Sequence, residues 1–338
     1  MRVPPALARL SFTFAVLLLA ACGAPTAPTS RAPAAPADPG SAKLQEYYEK
    51  AKASGVMKVT LYSAGPEYRP IFDLFQQRYP GTEVEGVLLR GPEMIQRFSA
   101  EASAGRRISN VAATGATTMS TLEQQGLFAE WEGPPNAADL PEIPLTSGRA
   151  RWAYAQNAHG FVVNTELVPE ARFPRTRQDL LDPFWKGKGK LLVDDPRGGG
   201  PSIEFFTYTY DELGQAWMDG LKAQDPTFVR ERDAAPTQIA RGEYAIFVPA
   251  AITVQELELQ RGAPVKAGWF RDGGAMVVAL KLGVVKDAPG QEVAKLFVSW
   301  LTGPEGQQAI AEKLVTYPAL PSAPSPAGYP SLQEINPS

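Results

Sequence analysis

An α/β fold is predicted by three observations. Short β-branched runs alternate with amphipathic helical stretches across residues 43–316, the pattern of strands covered by helices. Several of the strand runs stop in small residues that open directly into a helix. Of the 338 residues, 44% are hydrophobic and 9% aromatic, enough to build the core of one large or two ordinary domains. Proline sets the limits of that core: 13 of the 32 prolines crowd into residues 1–42 and 317–338, so both ends read as tails.

The elements follow in order. Val56–Tyr62 is a β-rich run ending in Ser63-Ala64-Gly65, with Pro66 where a first helical position tolerates proline. Tyr68, Ile71, Phe72, Phe75 and Tyr79 then recur at helical spacing until Pro80-Gly81 closes the face. A strand over Thr82–Leu88 precedes a helix carrying Met94, Ile95, Phe98 and Ala102. Asn110–Thr114 reads as a buried strand that stops at Gly115, before a helix with Met119 and Leu122. Later strands are expected at Gly160–Val163, Lys190–Val193, Tyr244–Val248 and Ala275–Val285. Between them, Thr176 and Asp179 have capping-box spacing, and Leu213, Trp217 and Leu221 share a helix face. Val293, Leu296, Phe297, Trp300 and Leu301 mark the last strong helix, and Pro304 starts another. Tyr317, Leu320, Tyr329 and Leu332 predict that the C-terminal tail lies against the body.

Composition excludes much chemistry. A net charge of −3 leaves no electrostatic footprint for nucleic acid. One cysteine and one histidine rule out an intrachain disulfide, CxxC and HExxH motifs, and most nucleophilic triads. No metal site and no cofactor is expected, and His159, ahead of a buried strand, reads as structural. Asp194-Asp195 is the pair that would suit a carboxylate-based hydrolase, the alternative from another class. Neighbours on a strand point to opposite faces, so the two acids converge only where the strand has ended.

Residues 1–21 have the form of a signal peptide: Arg2 and Arg9, then an apolar stretch from Leu10 to Ala21 too short to span a bilayer. Leu19-Ala20-Ala21-Cys22-Gly23 resembles the bacterial lipobox, which implies lipidation of Cys22 and anchoring at the periplasmic or outer cell surface. Residues 22–43, rich in Pro and Ala, are expected to be a tether.

Ligands in open α/β sheets sit beyond the carboxyl ends of strands. Ser63-Ala64-Gly65, Thr114-Gly115 and the stretch from Asp195 to Ser202 are such ends, each leading toward helical N–H groups that favour an anion. Arg197 is expected to supply a bidentate positive charge, with Arg90 in reserve and Gly200 and Ser202 at the helix start. No Walker A or GxGxxG sequence is present.

Leu180-Leu181-Asp182-Pro183-Phe184-Trp185-Lys186-Gly187-Lys188-Gly189 resembles a segment of bacterial extracellular solute-binding proteins, in the branch with ferric-iron, thiamine and aminophosphonate binders. Phe161–Thr165, Gly242–Ile246 and Ala294–Gln307 match in the family's order. The resemblance implies a two-lobed periplasmic-binding-protein-like fold (type II), with hinge strands and an interlobe cleft. It places residues 44–113 and part of 250–320 in one lobe, 155–247 in the other, and crossings near 112–160 and 247–275. Residues 321–338 form the tail. It implies a monomer, not an enzyme, that delivers a small anionic or zwitterionic solute to ABC permease and ATPase subunits. Ferric-iron members carry adjacent tyrosines after the strand matching Tyr244–Val248; Pro249 and Ala250 stand there, which speaks against a tyrosine iron site. An iron-binding member, with Tyr68 or Tyr208 as a ligand, is the alternative within the family.

Overall fold

The computed structural model describes residues 39–63, 65–141, 151–198, 200–254, 258–259, 261–272 and 276–335. Cys22 and the signal segment lie outside them, as does Ala64.

The described residues begin with α1 (Pro39–Ser54), which starts inside the segment read as tether and runs beyond it. It is followed by β1 (Lys58–Tyr62), α2 (Arg69–Arg78), β2 (Glu83–Val87), α3 (Gly91–Ser103), β3 (Val111–Gly115) and α4 (Ala116–Gln124). The long β4 (Arg151–Asn164) leads to β5 (Leu191–Asp194), α5 (Pro201–Ala223), β6 (Thr227–Val229), α6 (Ala235–Ala240), β7 (Ile246–Ala251) and β8 (Val265–Gly268). Then come β9 (Met276–Val284), α7 (Gln291–Thr302), α8 (Pro304–Lys313), β10 (Tyr317–Pro318) and α9 (Leu332–Ile335). Thr176 and Asp179 do form their capping box, but on a five-residue 3-10 turn, Arg177–Leu181.

Two apolar centres make two lobes. In the first, Val59, Leu61, Phe75 and Val111 pack beneath α7, from which Val293, Phe297 and Trp300 are buried; Tyr47 and Ala51 bring α1 onto the same core. In the second, Phe161, Val163, Leu191 and Val193 pack against Phe205, Trp217 and Leu221 of α5. Burying each side chain of this size contributes roughly 1.5–3 kcal/mol, which holds both helices on their strands.

Hydrogen bonds link the strands in the order β2-β1-β3-β9-β4-β7-β5-β6, with β8 and β10 also on β4, so the ladder is continuous through both lobes. β4 is the crossing. Its first part pairs antiparallel with β9 from Arg151–Gly283 to His159–Met276. At His159 it changes neighbours, pairing Gly160 with Ala250 and Val163 with Ile246 of β7. β10 pairs at Ala155 and Gln156 on the edge that β7 then takes, and β8 pairs from Phe161 to Asn164 on the edge that β9 leaves. Gly160 is required there, since a Cβ would stand 2.1 Å from the Gly268 carbonyl oxygen. The tail packs as expected: Ile335 and Tyr317 are buried with Ala158 and Ile252, and Tyr329 and Leu332 lie against them.

Candidate functional site

The three strand ends behave differently. At the first, Ser63 takes φ +81° and donates its hydroxyl to the Leu89 carbonyl at 2.8 Å, so it ties one loop of its own lobe to the next. Gly65 opens only a three-residue 3-10 turn, and its N–H is satisfied by Glu67 at 3.3 Å. An acid already occupies the place expected for an anion. At the second, Thr114 and Gly115 are half-buried and Gly115 caps α4. Thr117, in the first turn of that helix, donates to Glu204 of α5 in the other lobe at 3.5 Å. Burial raises the Glu204 carboxyl above its ordinary range, and the threonine partly offsets this.

The third end is the richest. Gly200 holds φ +73°, a left-handed conformation that favours glycine, and caps α5. Ser202 is not the cap; its buried hydroxyl donates to the main-chain oxygen of Asp194. Arg197 turns back on Asp195, with Nε 2.8 Å and Nη2 2.6 Å from the two carboxylate oxygens, and its side chain is 71% exposed. That bidentate bond holds the Asp195 carboxyl far below its ordinary range. The charge expected from Arg197 is therefore already spent on its neighbour.

Arg232, which sequence reasoning passed over, takes the position instead. Its guanidinium lies against Gly200, about 3.0 Å from where a Cβ would project, and its Nη1 is 3.4 Å from Oδ2 of Asp194. A cation packed at a helix N-terminus adds to the positive end of the dipole. The signal was the dense run Arg230-Glu231-Arg232-Asp233 just beyond β6. From the other lobe, Arg90 at the start of α3 reaches Asp233 at 2.8 Å and Glu231 at 3.6 Å. Asp194 is buried, which pushes its carboxyl up to about 6, while Arg232 and Arg90 pull it down. Arg90, Asp194, Gly200, Ser202 and Arg232 thus meet where the lobes face each other.

Pro249 and Ala250 are buried inside β7, opposite the bulge at Phe161, and Ala250 packs with Val162 and Phe247. They are core positions. His159 is also buried; its Nδ1 lies 3.0 Å from the Asn157 carbonyl, and burial depresses its pKa to about 4. Tyr68 and Tyr154 place their hydroxyls 2.9 Å apart, and burial raises Tyr68 to about 12. Tyr208 lies instead over the Arg177 guanidinium, 4.8 Å from ring to charge.

Residues 111–335 match the family described as bacterial extracellular solute-binding protein. The chain belongs to that family. It is a family of solute-binding proteins, not enzymes, and the two-lobed α/β fold agrees with it. This solute-binding protein is 24% identical over 206 residues to the Fe(3+)-binding periplasmic protein of Serratia marcescens, covering 57% of the chain and 58% of that relative. The match thus spans less than two thirds of the relative's length. Among solved structures it resembles iron-bound HitA from Pseudomonas aeruginosa, with TM-score 0.69, 20% identity, and coverage of 83% of this chain and 92% of that one. It resembles equally AfuA from Actinobacillus pleuropneumoniae, solved with fructose-6-phosphate bound, at TM-score 0.69, 20% identity, and coverage of 82% and 90%.

Proposed function

We propose that the protein captures a small anionic or zwitterionic solute between its lobes and delivers it to the permease and ATPase of an ABC importer, held at the membrane surface through lipidated Cys22. The observation that carries this reading is that Arg232 packs on the α5 N-terminus in one lobe while Arg90 of the other lobe bridges to Glu231 and Asp233 on either side of it. Charged hydrogen bonds of this kind are worth roughly 1.5–3 kcal/mol each, and a solute touching both lobes favours their closure. The Thr117–Glu204 hydrogen bond is a second point at which the two lobes meet. A ligand of AfuA is a phosphate ester, which supports anion capture in this fold. Calorimetry with phosphate, methylphosphonate, carboxylates and ferric citrate tests the reading, and native mass spectrometry of protein from its own host identifies the cargo. Absence of binding to every anion would overturn it.

One observation favours a second reading, a ferric-iron carrier. The Tyr68 and Tyr154 oxygens lie 2.9 Å apart, close enough to share one ion, and the Serratia marcescens relative is named for ferric binding. Both phenols are raised well above neutrality, so metal capture there must displace two protons. A tyrosinate-to-iron absorption band on adding ferric citrate would support this reading against the first.

A further inference from the structure

Asp194 puts a negative charge where the proposed anion would sit. Its side chain is 6% exposed and lies 3.4 Å from Arg232, which itself packs on Gly200 at the start of α5, and its main-chain oxygen takes the Ser202 hydroxyl of that helix. A site meant only to attract negative charge would leave Arg232 free of an acid. A buried carboxylate next to a fully ionised oxyanion is repelled by it. If the solute carries a proton between the two oxygens, the same contact becomes a charged hydrogen bond.

We propose that Asp194 is the specificity-determining residue of this site, selecting solutes that bear an O–H or N–H donor beside their anionic group and rejecting fully ionised oxyanions of equal size. The inference rests on the anion reading given above and narrows its substrate class to hydrogen-phosphate-like or zwitterionic solutes. Phosphate and sulfate separate the two ideas, because they share shape and size while only phosphate keeps a proton at neutral pH.

The surroundings fix what should titrate. Arg232 and Asp233 face Asp194 from the turn after β6, Arg90 from the opposite lobe, and Asp195 from the next position along the chain. Asp195 is occupied by Arg197 and Arg230. Ser202 holds the main-chain oxygen of Asp194 from α5. His159, on β4, feels Arg232 and stays neutral above about pH 4. Asp194, pushed up to about 6, therefore gains a proton on mild acidification, and Glu204 in the first turn of α5, also raised by burial, shifts in the same direction at the Thr117 contact. Once protonated, Asp194 donates to sulfate and the rejection is relieved.

The test is calorimetry with inorganic phosphate, sulfate and methylphosphonate on the wild-type protein and on Asp194→Asn. At neutral pH the wild type is expected to prefer phosphate to sulfate by at least about a hundredfold, because sulfate leaves the buried acceptor without a donor. Asp194→Asn should bind the two within about threefold of each other, since an amide both donates and accepts. Wild-type sulfate affinity should rise as pH falls through about 6, with no such rise in the variant. If the variant does not fold, this pH dependence of the wild type decides alone. Equal binding of phosphate and sulfate by the wild type, with no pH dependence, overturns the role of Asp194 and leaves anion binding standing. Failure of all three probes to bind at any pH overturns the inference, and failure of the carboxylates as well removes the anion reading with it.

Discussion

Arg90 and Asp233 are 143 positions apart in the chain and meet at 2.8 Å, one from each lobe. Glu231 adds a second carboxylate at 3.6 Å. The partners are unequal: Arg90 is two-thirds buried while Asp233 is 71% exposed. A bridge so open to solvent is a weak latch, worth roughly 0.2–1 kcal/mol, and salt screens it. Asp233→Asn should shift the ligand-free distribution of lobe separations toward wider values by less than about fivefold in population, as should high salt. Spin labels at Gln77 and Lys222, both exposed and one on each lobe, would report it by pulsed dipolar spectroscopy. An unchanged distance distribution would mean that the pair does not restrain the lobes.

Arg232 replaces Arg197 as the cation to test. Arg232→Ala should weaken anion binding about ten- to a hundredfold, the value of one charged hydrogen bond. Arg197→Ala should cost distinctly less, because its guanidinium is committed to Asp195. Titration calorimetry with one anion on both variants ranks them, and the opposite ranking would restore Arg197 to the site.

His159 makes stability depend on pH. Its folded pKa, about 4, lies below its ordinary 6.5, so the unfolded chain binds the proton more readily. The stabilisation is complete above about 6.5 and is lost as pH falls toward about 4, by at most on the order of 3 kcal/mol. Asp194 acts in the opposite sense, since its folded value of about 6 exceeds its ordinary 3.8 and favours the folded state at the acid end. Denaturant unfolding from pH 7 to 4 should therefore show a shallower acid loss in His159→Gln than in the wild type. Parallel curves would show that the imidazole is not held neutral.

Gly160 tolerates no side chain. A Cβ there would approach the Gly268 carbonyl oxygen to 2.1 Å and the Trp269 Cα to 2.7 Å, both backbone atoms. Gly160→Ala must push β8 away from β4, at a cost of about 1–3 kcal/mol or more. A clear fall in Tm by calorimetry is expected, whereas Gly115→Ala, with open space around its Cβ, should leave Tm close to the wild-type value.

Cys22→Ser tests the anchor. Each buried acyl CH₂ contributes about 0.8 kcal/mol, so a chain with several acyl groups stays bound. The variant should appear in the soluble fraction or remain uncleaved, and a processed variant that still pellets with membranes would exclude lipidation.

Much of the fold could be read because the central strands carry dense apolar runs. Val59 and Leu61, Val111 to Ala113, and Leu191 to Val193 are buried, and no polar residue interrupts the signal from the latter two. The strand at Gly160–Val163 was read at less than its length, since β4 begins at Arg151. Its first half mixes aromatic, small and polar residues, and a register shift between Ala153 and Ala155 breaks the alternation. Helix α1 escaped notice because only Tyr47 and Ala51 of it are fully buried, a stripe too thin to stand out. The site was legible as strand ends but not as partners. Glu67 on Gly65 and Asp195 on Arg197 are local pairings that a motif cannot reveal, and Arg232 reaches Gly200 only once β6 lies beside β5.

The bulges on β4 have a mechanical consequence. One lies between Ala153 and Ala155 against β9, the other between Gly160 and Val162 against β7. The stretch from Ala155 to Gly160, at about 3.3 Å per residue, is thus a short torsion bar clamped in each lobe beyond its ends. The tail residues Tyr317 and Ile335 grip it at Ala158. A twist confined to this bar would turn one lobe against the other while Val59, Phe75 and Phe297 in the first and Val163, Phe205 and Trp217 in the second keep their neighbours.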